Sequence, residues 1–132
     1  MRVMLDTNVI VSAALFSDGP LAVFQDVLGR DRVVLGDYVL EEVRDVFHRK
    51  FPSRCEDLER FLGTLGFEWF ETLGSDVSAP LMRDPDDLPV LQSAIASDVD
   101  VLVSGDKDFS GLGLLRPLIL TPAEYVAWRP GQ

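Results

Sequence analysis

With 132 residues, 47% hydrophobic content and one cysteine, the chain has the size of one compact domain with its own core, and it excludes a fold stapled by disulfides. The lone Cys55 and lone His48 leave no Cys/His zinc centre. The net charge of −10 opposes a broad basic nucleic-acid footprint unless the acids gather in one place.

In chain order, Arg2 to Leu5 reads as a strand ending abruptly at Asp6-Thr7-Asn8, with a helix from Val9 to Phe16 after that loop. The opening lacks the charged, apolar and small-residue regions of a signal peptide, and no apolar run approaches the roughly 20 residues of a membrane-spanning helix. A cytoplasmic protein is expected. Asp18-Gly19-Pro20 breaks the chain, and Leu21, Phe24 and Leu28 recur at helical spacing before Gly29. Val33 to Leu35 forms a second strand. Asp37 suits the cap of a helix running to about Lys50, and Pro52 stops it. Leu58, Phe61, Leu62 and Leu65 mark another helix closed by Gly66, followed by a weak strand from Phe67 to Phe70. Thr72 to Pro80 reads as a loop leading into Arg83-Asp84-Pro85-Asp86-Asp87, where proline and acids suit a helix start, and that helix reaches about Ser97. Strands at Val101–Ser104 and Leu118–Leu120 and a short helix from Pro122 complete the reading. Residues 1–132 thus form one α/β domain, in which a parallel sheet is covered on both faces and ligands bind beyond the carboxyl ends of the strands.

Two acids fall at such ends, Asp6 after the first strand and Asp106 after the strand at Val101. Helical geometry sorts the others. Between Asp37 and Lys50 the apolar stripe is Val39, Leu40, Val43, Val46 and Phe47; Glu42 flanks it, whereas Glu41 lies opposite with Arg44, Asp45 and His48. Asp87 shares a face with Leu91, Ala94 and Ile95, and Asp86 falls away from it.

Several carboxylates gathered near a core repel one another and resist desolvation unless cations neutralise them, and all-oxygen ligation selects hard ions such as magnesium or manganese. Such sites support phosphoryl transfer by activating water and stabilising a leaving oxygen. With Asp6, Glu42, Asp84, Asp87, Asp106 and Asp108 set aside as one cluster, six of the ten excess negative charges are accounted for and −4 remains. That remainder also suits a basic protein partner.

Asp6-Thr7-Asn8-Val9, the inward Glu42, Asp84-Pro85-Asp86-Asp87 with Ala94, and Ser104-Gly105-Asp106-Lys107-Asp108 resemble, in that order and across essentially the whole chain, the pattern of the PIN-domain family. The chain resembles the small stand-alone PIN toxins of the VapC type. The resemblance implies a three-layer α/β/α fold with a central parallel sheet of about five strands. It further implies metal-dependent RNA cleavage with Mg2+ or Mn2+, a toxin role neutralised by a cognate antitoxin, and a homodimer. On this pattern Asp6, Glu42, Asp87 and Asp106 match the acidic quartet, Asp84 and Asp108 the auxiliary acids, and Asn8 and Ser104 the polar groups behind them. Ser104 stands where many members carry threonine, which keeps the hydroxyl.

Taken singly, Asp-Thr-Asn also suits a turn or helix cap, Asp84 to Asp87 a helix start, and Gly105 to Asp108 a polar turn. Their joint order and the stripe geometry favour the nuclease. Arg49 and Lys50, grouped with His48 and Arg54, are candidate contacts to the RNA backbone, with Lys107 nearer the acids; His48 itself suits a solvated helix end. Trp69 and Trp128 read as packing residues, and the apolar run from Leu58 to Leu65 as either core or a contact surface. Two other functions stay open: a non-catalytic RNA- or protein-binding module, and an aspartate-based phosphatase, which Asn8 disfavours because a second aspartate is wanted two residues after the first.

Overall fold

Val3, Met4 and Leu5 of the first strand, β1 (Arg2–Leu5), are all fully buried, and because successive strand residues point to opposite sides, both faces of the sheet are covered. The computed structural model describes residues 1–16, 20–71, 88–105 and 116–128. Within them β1 is followed by α1 (Thr7–Leu15), α2 (Pro20–Leu28), β2 (Arg32–Gly36) and α3 (Asp37–Lys50), then by a 3-10 turn (Pro52–Arg54), α4 (Cys55–Leu65) and β3 (Glu68–Phe70). α5 (Leu88–Ala96), β4 (Val101–Val103), β5 (Leu118–Leu120) and α6 (Pro122–Trp128) complete the order.

The five strands are parallel, in the order β3-β2-β1-β4-β5. Val3 is in register with Val33 on one side and Val101 on the other. The chain therefore winds outward from β1 through β2 to β3, returns to the other side of β1 at β4, and continues to β5. That reversal places a switch point, where crossovers diverge and leave a crevice, at the carboxyl ends of β1 and β4. Helices α1, α3 and α4 pack on one another and α2 packs on α6, giving the three-layer α/β/α fold.

Local signals explain most boundaries. Pro20 opens α2, where a missing N–H is harmless. Gly66 closes α4 in the left-handed region at φ 57°, which a residue without a Cβ adopts freely. Thr121 and Glu124 form a reciprocal capping box at α6: the Thr121 amide donates to Glu124 Oε1 at 2.9 Å and the Glu124 amide to Thr121 Oγ1 at 3.1 Å.

Several expectations are corrected. No loop separates β1 from α1, because Asp6 ends the strand and caps the helix at once, so the helix starts at Thr7. The cap residue of α3 is Gly36; Asp37 is already helical and its Oδ1 accepts from the Tyr38 amide at 2.8 Å. Trp69, 56% exposed, and Trp128, 38% exposed, are not interior packing residues; Trp69 lies on β3, which among the described residues has a neighbouring strand on one side only. Of the run on α4, Leu58, Phe61 and Leu62 are buried, which makes it core. The loop from Thr72 to Pro80 and the helix start at Asp84 to Asp87 lie outside the described residues.

Candidate functional site

Asp6 is 6% exposed at the end of the central strand. Its backbone amide still donates to Val103 O at 3.1 Å, which ties it to the neighbouring strand β4. Its carboxylate accepts from backbone and side chain alike. Oδ1 accepts from the Val9 amide at 3.0 Å, the interaction that caps α1 and satisfies one of its free N–H groups. Oδ2 accepts from the hydroxyl of Ser104, which is 3% exposed just beyond β4. Ser104 is held in turn by its own amide, which donates to Leu120 O of β5 at 2.8 Å. A buried carboxylate is thereby oriented by the first turn of α1 and by the residue that follows β4.

A second carboxylate approaches from α3. Val39, Leu40, Val43 and Phe47 are buried and anchor that helix on the core; Glu42, beside this stripe, is only partly exposed, while Glu41 is exposed on the opposite side. Glu42 Oε1 accepts a hydrogen bond from the hydroxyl of Thr7, the first residue of α1 and itself 7% exposed. Packing of α1 against α3 brings the two together. Sequence reasoning missed Thr7. The available signal was a hydroxyl residue directly after the strand-end aspartate, but its partner depends on how two helices pack. Asn8, by contrast, is exposed.

The structure thus gathers Asp6, Thr7, Ser104 and Glu42. Asp84, Asp87, Asp106, Lys107 and Asp108 lie outside the described residues, and among the described residues no group of three or more His, Cys, Asp and Glu side chains is placed to hold a metal ion. Asp6 and Glu42 are nonetheless a donor set of carboxylate oxygens, the ligand type that suits a hard divalent cation.

Arg49 and Lys50 are exposed at the last turn of α3, about 10 to 12 Å along the helix axis from Glu42 at 1.5 Å per residue. The Arg49 guanidinium is paired with Asp45 at 2.8 Å. His48 is exposed in the same turn, with Nδ1 3.9 Å from Cys55 Sγ at the mouth of a groove of about 500 Å³ floored by Phe47 and Leu58. Neither Asp6 nor Glu42 lines that groove, so it is separate from the acidic site.

Among the described residues no helix is long and apolar enough to cross a membrane. No curated protein matches this sequence. The chain is similar in structure to a chain of VapBC2 from Rickettsia felis, solved bound to a DNA fragment from its promoter. The two are 20% identical, with a TM-score of 0.69 over 91% of this chain and 97% of that one, a likeness that shows a shared fold. The family model for the PIN domain matches residues 2–108, which takes in Asp6, Glu42, Ser104 and the acids between and after them. The chain belongs to the PIN-domain family, whose members are in general nucleases.

Proposed function

We propose that this chain is a metal-dependent endoribonuclease, a single PIN domain spanning residues 1–132, that serves as the toxin of a type II toxin–antitoxin pair. The observation that carries the proposal is the buried Asp6 carboxylate at the β1–β4 switch point, oriented by Ser104 and the Val9 amide and adjoined by the Thr7–Glu42 pair. Asp6, Glu42, Asp87 and Asp106 are the proposed ligands of Mg2+ or Mn2+, with Asp84 and Asp108 as auxiliary acids. Asp87 directly precedes α5 in sequence, and Asp106 follows Ser104 by two residues. A bound divalent ion would supply Lewis-acid stabilisation of the scissile phosphate and activation of the attacking water.

The chain's own groups supply the rest. Asp6 is held by the Val9 amide and the Ser104 hydroxyl, and Glu42 is directed by Thr7, so the carboxylates meet an ion with little reorganisation. Asn8, exposed in the first turn of α1, and Ser104 are the proposed polar groups that support the acids. Lys107 is the proposed backbone contact near the cut, and Arg49 and Lys50 contact flanking phosphates farther along α3. The fold neighbour's presence in a promoter-bound VapBC2 structure supports a protein partner for this chain as well, an antitoxin whose basic residues would answer the net charge of −10. The active toxin is proposed to be a cytoplasmic homodimer.

The deciding experiment is cleavage of a pool of structured RNAs by the purified protein with Mn2+, Mg2+ or EDTA, beside Asp6→Asn purified identically. Metal-dependent cleavage that the variant lacks is the expected result. Equal cleavage by both proteins would attribute the activity to a contaminant and overturn the assignment of Asp6.

A further inference from the structure

Glu42 reaches the acidic site on a long side chain from a partly exposed position of α3, whereas Asp6 is fixed by the strand end itself. A glutamate with three rotatable bonds must give up rotamer freedom to hold one orientation, and a cation gains little from a ligand it has to order first. The Thr7 hydroxyl donates to Glu42 Oε1 from the residue directly after Asp6. Thr7 is nearly buried, belongs to the first turn of α1, and as a β-branched residue is stiff about χ1. Its hydroxyl is therefore a fixed point whose Cα lies one peptide, about 3.8 Å, from that of Asp6.

From this geometry we infer that Thr7 is a positioning residue: its hydroxyl holds one oxygen of Glu42 and thereby sets the spacing between the Asp6 and Glu42 carboxylates. The inference rests on the metal-dependent reading proposed above and adds to it the group that organises the α3 carboxylate before an ion arrives. Ser104 plays the corresponding part for Asp6 from the opposite strand, so each carboxylate has its own hydroxyl. Among the described residues Glu42 makes only this bond, which leaves Oε2 for ligation. The bond also joins the start of α1 to the second turn of α3, two helices that already pack together.

The test is equilibrium Mn2+ binding, read from the electron paramagnetic resonance of free Mn2+, so that it does not depend on cleavage. Wild type, Asp6→Asn, Thr7→Val, Thr7→Ser, Glu42→Gln and the Thr7→Val/Glu42→Gln double variant are compared, with thermal melts to verify folding. Loss of a group that orients a metal ligand typically weakens affinity on the order of 10- to 100-fold, and this is expected for Thr7→Val. Thr7→Ser restores the hydroxyl and is expected to bind close to wild type. In the Glu42→Gln background Thr7→Val is expected to cost little more, since the carboxylate it directs is gone. Wild-type affinity in Thr7→Val, or an equal loss with and without Glu42, would overturn the inference while a defective Asp6→Asn left the metal site standing. Wild-type protein that binds no Mn2+, or Asp6→Asn that binds it unchanged, would overturn both.

Discussion

Ser104 donates its hydroxyl to Asp6 across the β1–β4 junction, joining residues 98 positions apart in the chain. Both are nearly buried, so the bond operates where water competes poorly for the carboxylate. Ser104→Ala is expected to leave the sheet intact, because the Ser104 amide still bonds to Leu120 O, yet to weaken Mn2+ affinity and cleavage on the order of 10- to 100-fold. Ser104→Thr should retain most activity. Titrating cleavage against Mn2+ checks this, and an unchanged half-saturating concentration in Ser104→Ala would remove the orienting role.

Asp6 combines two duties that substitutions can separate. Asn accepts the Val9 N–H as well as Asp does, so Asp6→Asn is expected to keep the cap of α1 and lose activity. Asp6→Ala loses both, with about 1 kcal/mol of stability attributable to the missing cap. Urea melts at neutral pH, run beside RNA cleavage, separate the two effects. Equal stability of the Asn and Ala variants would show that the cap contributes nothing.

The acid ends of these elements were legible in the sequence wherever the cause is local. A strand that stops at an aspartate, a glycine after an apolar helix and a proline that breaks the chain ahead of an apolar periodicity each impose their structure within a few residues, and β1, α4 and α2 follow them. The inward lean of Glu42 was legible for the same reason, since helical periodicity alone separates it from Glu41. What was hidden depends on packing between distant segments. The Thr7–Glu42 bond requires α1 to lie on α3, and the exposure of Trp69 follows from β3 being the edge strand among the described residues, which no pattern within Glu68–Phe70 announces. Asp37 is a favourable cap in isolation, but β2 runs on through Gly36, which takes the cap position and leaves Asp37 inside the helix.

Asp57 gives a pH-dependent prediction. The hydrogen bond from Arg54, helped by that from Arg60 and by the charge of both, holds its carboxyl below the ordinary aspartate value of 3.8 despite some desolvation. A depressed folded-state pKa contributes stability that is present above the unfolded value and lost as pH falls through the folded one. Wild type is therefore expected to exceed Asp57→Asn by a constant small margin at pH above about 5, with the margin fading below 3.8. The group is largely solvated, so raising salt to about 1 M should shrink the margin. Denaturant melts across pH check this; a margin that grows towards low pH would contradict it.

Asp98 stands at φ 56°, just past α5, where its amide donates to Ile95 O at 3.1 Å and that of Val99 to Ala94 O at 3.3 Å. Left-handed backbone costs most side chains about 1 to 2 kcal/mol, and aspartate less. Glycine removes that cost but forfeits the exposed Asp98–Arg116 pair at 3.4 Å, worth at most about 1 kcal/mol, and loosens the unfolded chain. Asp98→Gly is accordingly expected to be near neutral. Asp98→Val, a β-branched residue at positive φ, should lose about 1 to 2 kcal/mol. Equal melting temperatures for the two variants would show that the turn does not depend on this backbone conformation.

Glu41 and Glu42 are adjacent, chemically identical and on the same helix, so exchanging each for glutamine isolates position from charge. Glu42 leans towards Thr7, the residue next to Asp6, whereas Glu41 is exposed on the side shared with Arg44 and Asp45. Either change alters the net charge by one unit and disturbs helix propensity little. A diffuse electrostatic role in RNA binding would make the two variants behave alike, and both would be sensitive to salt. A ligand role makes them differ: Glu42→Gln is expected to lose cleavage by a factor of 100 or more, on the order found when a group stabilising transition-state charge is removed, while Glu41→Gln stays within about twofold of wild type. Parallel assays at two salt concentrations decide between these, and equal activities at both would place the α3 carboxylate outside the catalytic site.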